Sequence, residues 1–336
     1  MKRHAHLVGS VGLKDRDEVF KTVSEILGPC CARIPDGETG ERNHWIRWQR
    51  KVFQLHPAFE PAQASQALPG VRPPFRLKAG ATAGSLELGD LGYAREAIES
   101  YDAFARLMGE GKIAETTRFL VALPTPVALL CGMIAPEQRA SLEPIVDRAI
   151  GRELEELQSS ISAKRLAIQW DVCWEVVGAA GGPALPYDRP IEGSVQRIAE
   201  LCGKVREGVE LGIHLCYGDP GHKHIVEPVD LEITVAFANG ICASSPRPVD
   251  FIHMPVPRNR TDDAYYAPLR KLALPERTRL VLGLIHYADG IEGSKRRIAA
   301  AERHVENFDL ATECGFGRRD PSTIPELLRI HRELCA

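Results

Sequence analysis

The sequence lacks the features that mark membrane, secreted and nucleic-acid-binding proteins. No apolar run reaches about 18 residues, so we predict no transmembrane helix, and the first ten residues contain no apolar core of signal-peptide length. The 42 Lys and Arg residues are balanced by 45 Asp and Glu, which leaves no basic surface for nucleic acid or an anionic membrane. The nine cysteines are odd in number and irregularly spaced, which indicates a reducing cytoplasm rather than a disulfide framework.

Glycine-rich cofactor fingerprints are also missing. No G-x-G-x-x-G follows the first apolar run and no P-loop pattern occurs, so we predict no NAD site, and we expect no pyridoxal phosphate. The composition is that of an ordinary globular protein, with 336 residues that are 44% hydrophobic and 26% charged. We expect a single domain over 1–336, because barrels of about 250 residues and more often fold as one unit.

Apolar, β-rich runs alternate with helical segments along the chain, and many of the runs are almost continuously apolar, as is typical of parallel strands covered on both sides. Eight such units predict an α/β fold of the (β/α)8 TIM-barrel class, with an open doubly wound sheet as the alternative. The Pro-, Gly- and Ala-rich stretch 56–90 is predicted to be an inserted loop or lid, with a hairpin near 75–78. The predicted strands cover 5–10, 30–35, 117–123, 166–171, 209–217, 249–254, 279–286 and 309–314. The predicted helices cover 15–27, 42–55, 91–109, 136–161, 190–208, 231–239, 264–272, 292–305 and 324–334.

Charged residues, histidines and cysteines collect where the predicted strands end. In a (β/α)8 barrel these carboxyl ends share one rim, which is where such enzymes carry their chemistry. Part of the pattern also follows from the general polarity of loops. The residues at these positions are Ser10, Asp36, Glu38, Asp171, His214, Cys216, Asp219, His222, His224, His253, Arg258, His286, Asp289, Glu313 and Cys314.

The most specific local feature is His214-x-Cys216. Side chains at i and i+2 of a strand share a face, so both can point into the mouth of the barrel and hold one metal. Cys314 follows the last predicted strand about 100 residues later. One imidazole and two thiolates form a soft ligand set that suits Zn²⁺ and leaves a fourth position open. The alternative is that the cysteines are core residues, since free cysteine is among the most buried residue types.

Five short motifs occur in order across nearly the whole chain. Gly9-Ser10 comes first, then Gly37-Glu38 with Glu41-Arg42-Asn43, then Gln169-Trp170-Asp171, then His214-Leu215-Cys216-Tyr217, and finally Glu313-Cys314-Gly315 with Arg318-Arg319. This ordered set resembles the catalytic domain of cobalamin-independent methionine synthase, in the barrel superfamily that it shares with uroporphyrinogen decarboxylase. The set is far more specific than any one of its members.

The resemblance implies a zinc-dependent methyltransferase that activates a small, homocysteine-like thiol for S-methylation. It implies His214, Cys216 and Cys314 as metal ligands. It places Glu38 and Asp171 on an ammonium or hydroxyl group of the substrate, and the backbone of Ser10 on its carboxylate. His286 is a candidate acid, and Arg318 a candidate clamp for an anionic group. The methyl donor stays open between a folate, a corrinoid protein and a small methylated compound.

The chain departs from the family at two positions of the proposed site. Asp171 is followed by Val172-Cys173 where the family has Glu-Pro, and Pro255 stands where the family has a zinc-binding Glu. His253 lies two residues earlier on the same strand and is a further candidate ligand, as are His222, His224 and Asp219. The chain also has no counterpart of the N-terminal half of the full-length synthase, which helps to hold a polyglutamyl folate.

Two other functions stay open at this stage. A lyase, decarboxylase or C–C hydrolase on the same barrel would use His214, His253, His286 and the carboxylates as acid–base groups on a small organic acid or aromatic substrate. A non-catalytic binding protein is the third hypothesis, and it is disfavoured because inert sites seldom gather so many titratable groups.

Overall fold

The computed structural model describes residues 3–62, 72–221 and 223–335. Its strands are β1 (Arg33–Pro35), β2 (Phe59–Pro61), β3 (Phe75–Leu77), β4 (Arg118–Pro124), β5 (Leu166–Val172), β6 (Glu210–Leu215), β7 (Phe251–Pro255), β8 (Arg279–Gly283) and β9 (Asp309–Leu310). Its α-helices are α1 (Arg16–Leu27), α2 (Arg50–Leu55), α3 (Tyr93–Gly109), α4 (Pro126–Met133), α5 (Arg139–Ser160), α6 (Trp174–Ala179), α7 (Pro190–Gly203), α8 (Glu232–Ser244), α9 (Asp263–Tyr266), α10 (Gly290–Ala301) and α11 (Ile324–Cys335).

Seven of these strands form one parallel sheet in the order β1-β4-β5-β6-β7-β8-β9. Each strand pairs with the next sheet strand along the chain, and helices connect them, as parallel pairing requires. The segment around Ala5 meets both edges of the sheet, through parallel bridges to Cys31 and to Leu310. The backbone N–H of Ala5 donates to the carbonyl of Cys30 and that of His6 to the carbonyl of Leu310, each at 2.8 Å. The sheet is therefore curled, with its two edges joined through one stretch of chain.

The strands are apolar because both of their faces are covered. Every residue of β5 is buried, and one large core cluster joins the outer face of the sheet to the helices. A smaller cluster fills the space inside the curl, with one residue from each of six neighbouring chain segments: Val8, Leu120, Ala167, Phe251, Val281 and Ala311. The interior is thus a packed core, which confines open space to the ends of the strands.

Phe251 shows how tightly this interior is packed. Its ring lies over Gly212 so closely that a Cβ at that position would come within 1.9 Å of it. The guanidinium of Arg33 stacks on the same ring, 4.1 Å from its centroid. Glycine in β6 is therefore required by the close approach of an aromatic ring from β7.

The structure confirms an α/β fold and corrects several of the predicted elements. Seven sheet strands are present among the described residues where eight were predicted, because 5–10 contributes only the bridges of Ala5. The predicted helix 42–55 is a 3₁₀ segment, Gly40–Gln49, followed by α2, with non-helical backbone at His44 and Trp45. The prediction also missed α4 and α6, which follow directly on β4 and β5.

The stretch 56–90 carries the predicted hairpin as a short antiparallel pair, β2 with β3, in which Phe59 pairs with Leu77. A bridge between Phe75 and Ile134 ties this pair to the end of α4. Residues 63–71 of the stretch lie outside the described residues, and its role as a lid stays a prediction. Within the described ranges, the helices are all too short or too polar to cross a membrane.

Candidate active site

The pairing register of the parallel sheet brings three of the predicted residues into one row. Asp171 in β5 is paired with His214 in β6, and His214 is paired with His253 in β7. Side chains at the same level of neighbouring strands point to the same face of a sheet. This row lies near the carboxyl ends of the strands, where the sequence predicted the site.

His214, Cys216 and Cys314 meet at this end of the sheet. One ligand atom from each lies within 4.8 Å of the others. The thiols of Cys216 and Cys314 are in hydrogen-bonding contact, and hydrogen bonds with neighbouring thiols, together with burial, raise the pKa of both. The guanidinium of Arg318 lies beside them, with Nη2 3.5 Å from Sγ of Cys314. Two sulfurs and one imidazole nitrogen at this spacing fit a zinc ion, which prefers such ligands in a tetrahedral arrangement.

His253 determines which nitrogen of His214 is available for a cation. Nε2 of His253 is 3.0 Å from the carbonyl oxygen of Thr312 and must donate to it, since a carbonyl only accepts. Burial lowers the pKa of His253 to about 4, so the ring is neutral and its Nδ1 is an acceptor. Nδ1 of His214, at 2.7 Å, is then the donor. The lone pair of His214 that remains is on Nε2.

The same hydrogen bonds disfavour the expectation that His253 replaces the missing Glu as a ligand. Both of its ring nitrogens are used within the protein, one towards His214 and one towards Thr312. His253 is therefore a partner that orients a candidate ligand. Hydrogen bonding of the second nitrogen in this manner is how metal-binding histidines are commonly held in place.

A cavity of about 240 Å³ opens beside these three groups. Most of the predicted site residues line it, namely Ser10, Glu38, Asp171, His214, Cys216, Cys314 and Arg318. Its apolar walls include Trp45, Met133 and Trp174. A largely apolar cavity with a few convergent polar groups is the usual form of a small-molecule site.

Asp171 is held on both sides of its carboxyl group. Gln169 donates to Oδ1 at 2.9 Å, and its amide also donates to the carbonyl of Val8. The indole N–H of Trp45 donates to Oδ2 at 3.1 Å. Burial nevertheless raises the pKa of Asp171 to about 7. The carboxyl group is thus fixed in orientation in a place that disfavours its negative charge.

Glu38 reaches the same cavity from a strained turn. Its φ is +43°, in the left-handed region that is costly for residues with a side chain, and Trp45 has φ +55°. Asp36 supports the turn by accepting from the backbone N–H of Glu38 at 2.8 Å and from Arg42. Asp36 is buried and paired, so the turn is not the solvated one that its Asp-Gly sequence suggests. Burial, together with Asp36 and Asp171, raises the pKa of Glu38.

Ser10 lies where two loops cross. Its hydroxyl accepts from the backbone N–H of Gly317 at 3.1 Å, and its carbonyl accepts from that of Phe316. A Cβ on Gly315 would come within 2.9 Å of the backbone nitrogen of Ser10. The glycine at position 315 therefore allows the loop that contains Ser10 to approach the segment that carries the thiol of Cys314.

The structure places His286 in a second cavity on the other side of Cys314. This cavity shares Asp219, Cys314 and Gly315 with the first, and its other charged residues are Lys223, His224, Glu227, Arg258, Glu313 and Arg319. Nε2 of His286 is 2.9 Å from the carbonyl of Val256, and its Nδ1 lies 3.7 Å from Glu313. Burial and Arg297 lower the pKa of His286 to about 3, so the ring is neutral.

The remaining candidate residues have partners of their own. Nε2 of His224 lies 3.0 Å from Glu313 and its Nδ1 lies 2.8 Å from Glu227. Burial lowers the pKa of His224, but these two carboxylates outweigh burial and raise it to about 9. Asp219 accepts from Arg318 at 2.7 Å. His222 lies outside the described residues.

The sequence analysis missed the contact between Cys173 and Cys216. The two thiols are in hydrogen-bonding contact, and Cys173 lines the first cavity. In the sequence, Cys173 stands out only as a departure from the family pattern. A cysteine directly after a strand that ends in the site was the available signal.

Comparisons with known proteins bear on the fold. A structure described as a methyltransferase from Methanosarcina mazei matches with a TM-score of 0.58 at 12% identity, over 100% of this chain and 95% of that one. The chain shares the fold of that methyltransferase. The resemblance that the motifs predict is thus confirmed as a likeness of fold.

A B12-independent methionine synthase from Shewanella sp. W3-18-1, in complex with selenomethionine, also matches. The match covers 79% of this chain and 69% of that one, at 15% identity and a TM-score of 0.49. No protein-family model and no curated protein matches the sequence.

Proposed function

We propose that this protein is an enzyme that transfers a methyl group to the sulfur of a small thiol, with a zinc ion held by His214, Cys216 and Cys314. The observation that carries the proposal is the convergence of these three groups within 4.8 Å at the wall of a cavity. His214 and Cys216 lie at the carboxyl end of β6, and Cys314 lies in the segment after β9, about 100 residues further along the chain. Cysteines that serve only as core residues do not require other ligand groups close to them, whereas a zinc site requires several ligands at one point.

The cavity supplies the groups that a small amino acid needs. Zinc, when bound, stabilises the thiolate form of a thiol and so lowers its pKa. Glu38 and Asp171 lie in the same cavity with pKa values raised chiefly by burial, and the charges of Asp36 and Asp171 add to the shift of Glu38. An ammonium group placed near both would relieve that repulsion and favour their charged forms. Trp45 and Gln169 hold Asp171 in the orientation to accept from it.

We assign the carboxylate group of such a substrate to a position beside Ser10, where two loops cross. Ser10 and Arg318 both line the first cavity. Arg318 already binds Asp219 and approaches Cys314. We therefore assign Arg318 a shared role, in which it balances thiolate charge and contributes to binding an anionic group.

The methyl donor is assigned to the second cavity, which meets the first at Cys314 and Gly315. A folate, a corrinoid protein and a small methylated compound are the three donor classes considered. His286 lines this cavity as a neutral ring whose Nε2 donates to the carbonyl of Val256, so its role would be to take up a proton on Nδ1 and pass it to the leaving group.

A second candidate function is a lyase, decarboxylase or C–C hydrolase. The acid–base groups of the second cavity favour it, since His224, Glu313 and His286 lie in one chain of contacts of 3.0 and 3.7 Å. Such an enzyme would not need the two thiols. Activity that survives both Cys216→Ser and Cys314→Ser would favour it over methyl transfer.

The test of the proposal is the metal content of protein purified without chelator, measured by emission spectroscopy. We expect one zinc per chain, lost in His214→Ala and retained in His331→Ala. His331 is a matched control because it is also fully buried but lies on α11, where its Nδ1 contacts the carbonyl of Leu327. Zinc content well below one per chain that is unchanged by His214→Ala would refute the proposal.

Activity is tested on the same preparations. The zinc-loaded protein is incubated with homocysteine-like thiols and with methyl-folate, a methylated corrinoid or small methylated compounds, and S-methyl products are measured by mass spectrometry. We expect product with one donor class and none with His214→Ala.

We also propose that the curled sheet is a closed (β/α)8 barrel formed by a single domain, with the segment around Ala5 as its eighth strand. The bridges of Ala5 to both edges of the sheet support this. A cytoplasmic location is proposed with it, since all nine cysteines are free.

A further inference from the structure

Cys173 is a third thiol at the proposed zinc site. It directly follows β5, is 3% exposed and lines the first cavity together with His214, Cys216 and Cys314. Its thiol is in hydrogen-bonding contact with that of Cys216, and both belong to one buried cluster with Cys314 packed against it. Cys216 therefore has a thiol on either side of it: Cys314, which belongs to the three-residue cluster with His214, and Cys173, which lies just outside that cluster.

We propose that Cys173 is the fourth protein ligand of this zinc site, which makes the site Cys₃His in the absence of substrate. The inference rests on the proposed function and deepens it, because it names the group that completes the coordination. Zinc sites are almost always four-coordinate, and a thiol beside two others is a group that the ion binds well.

The other groups considered for the fourth position are used elsewhere or carry no suitable atom. His253 has both nitrogens engaged, by His214 and by Thr312. Asp219 accepts from Arg318. Pro255, at the end of β7, has no side-chain donor atom. Cys173 offers a thiol that is in contact with Cys216, a member of the cluster.

The charges of the neighbourhood also suit three thiolates. One divalent cation with three thiolates carries one net negative charge. Arg318, which also binds Asp219, is the cation beside this charge, with Nη2 3.5 Å from Sγ of Cys314. Binding of zinc to the three thiols releases three protons, because each sulfur must be deprotonated to act as a ligand.

The location of Cys173 also suits a ligand that can exchange. It is the N-cap residue of α6, outside the regular part of β5, whereas His214 is within β6. A residue at the junction between a strand and a helix can change its side-chain rotamer without disturbing sheet pairing. Cys173 is thus the ligand placed to give way to a substrate thiol.

The experiment is X-ray absorption at the zinc edge on the purified zinc-loaded protein, without substrate. We expect three sulfur neighbours at about 2.3 Å and one nitrogen neighbour. In Cys173→Ser the count falls to two sulfurs, and the Kd for zinc, measured by competition with a chromophoric chelator, rises by about 10-fold. Cys202→Ser, a change of an equally buried cysteine on α7, leaves both values unchanged.

Two results would overturn the inference. Two sulfur neighbours in the unmodified protein would show that Cys173 is not a ligand, even if Cys173→Ser does not fold. Three sulfur neighbours that persist in Cys173→Ser would assign the third sulfur to another residue. A protein that takes up no zinc would instead refute the proposed function itself, so the two failures are distinguishable.

Discussion

Loss of His253 should weaken zinc binding although this residue does not touch the ion. In the structure His253 accepts from Nδ1 of His214 and donates to the carbonyl of Thr312. All three residues are buried, with 0 to 2% exposure. In His253→Ala, Nδ1–H of His214 loses its acceptor, and the ring is free to rotate or to place its proton on the nitrogen that should bind zinc.

The expected size follows from the role of such partners in other metal sites. Removal of a hydrogen-bond partner behind a metal-binding histidine typically costs 10- to 100-fold in affinity, or about 1.4 to 2.7 kcal/mol. A buried donor left without an acceptor costs a similar amount, about 1 to 3 kcal/mol. We therefore expect the Kd for zinc to rise by about 10- to 100-fold in His253→Ala.

The assay is competition for zinc with a chromophoric chelator at pH 7.5, combined with thermal unfolding. His253→Gln should restore most of the affinity, because its amide can accept from His214 and donate to Thr312. His331→Ala is the control for loss of a buried ring, and it should lower stability without changing the Kd. A Kd for His253→Ala within about threefold of the unmodified protein would refute the hydrogen-bond argument, since the expected loss is at least 10-fold.

Three further predictions concern the packing and the charges around the site. Gly212→Ala should lower the free energy of unfolding by about 1 to 3 kcal/mol in urea titrations, because its Cβ meets the ring of Phe251, and Phe251→Leu should recover part of that loss in the double variant. Gly37→Ala, at a φ of +83°, should destabilise by about 1 to 3 kcal/mol in the same assay, and an unchanged midpoint would contradict the conformational argument. The folded-state pKa of His224, about 9, lies above the usual value because of Glu313 and Glu227. Its stabilising contribution is therefore complete below about pH 6.5 and is lost as the pH rises through 9, so His224→Gln should flatten that part of the stability profile.

Much of the fold could be predicted because its signals are local. The sheet strands from β4 to β8 are short apolar runs, and such runs indicate covered parallel strands without knowledge of their neighbours. The 3₁₀ segment Gly40–Gln49 could not be predicted in the same manner. Its spacing of apolar residues suits a helix, but Trp45 has a positive φ and its indole donates to Asp171 in another segment of the chain.

The failure to predict α4 has a different cause. All but two of the residues of α4 are buried, so it has no polar face and no amphipathic period by which to recognise it. Its beginning is marked by Thr125, whose hydroxyl caps the backbone N–H of Ala128, and by Pro126 at the first helical position. The prediction took these residues only as the end of a strand.

The identity of the candidate metal ligands was accessible from the chain alone, because His214 and Cys216 share a face by strand periodicity and Cys314 stands in a motif of its own. The groups that support these ligands could not be identified from the sequence. Whether His253 binds a cation or orients His214 depends on a carbonyl 59 residues away, and the contact of Cys173 with Cys216 joins residues that follow two different strands. Periodicity along a strand is a property of one segment of backbone, whereas hydrogen-bond partners and shared ligands depend on distances between segments that only folding brings together.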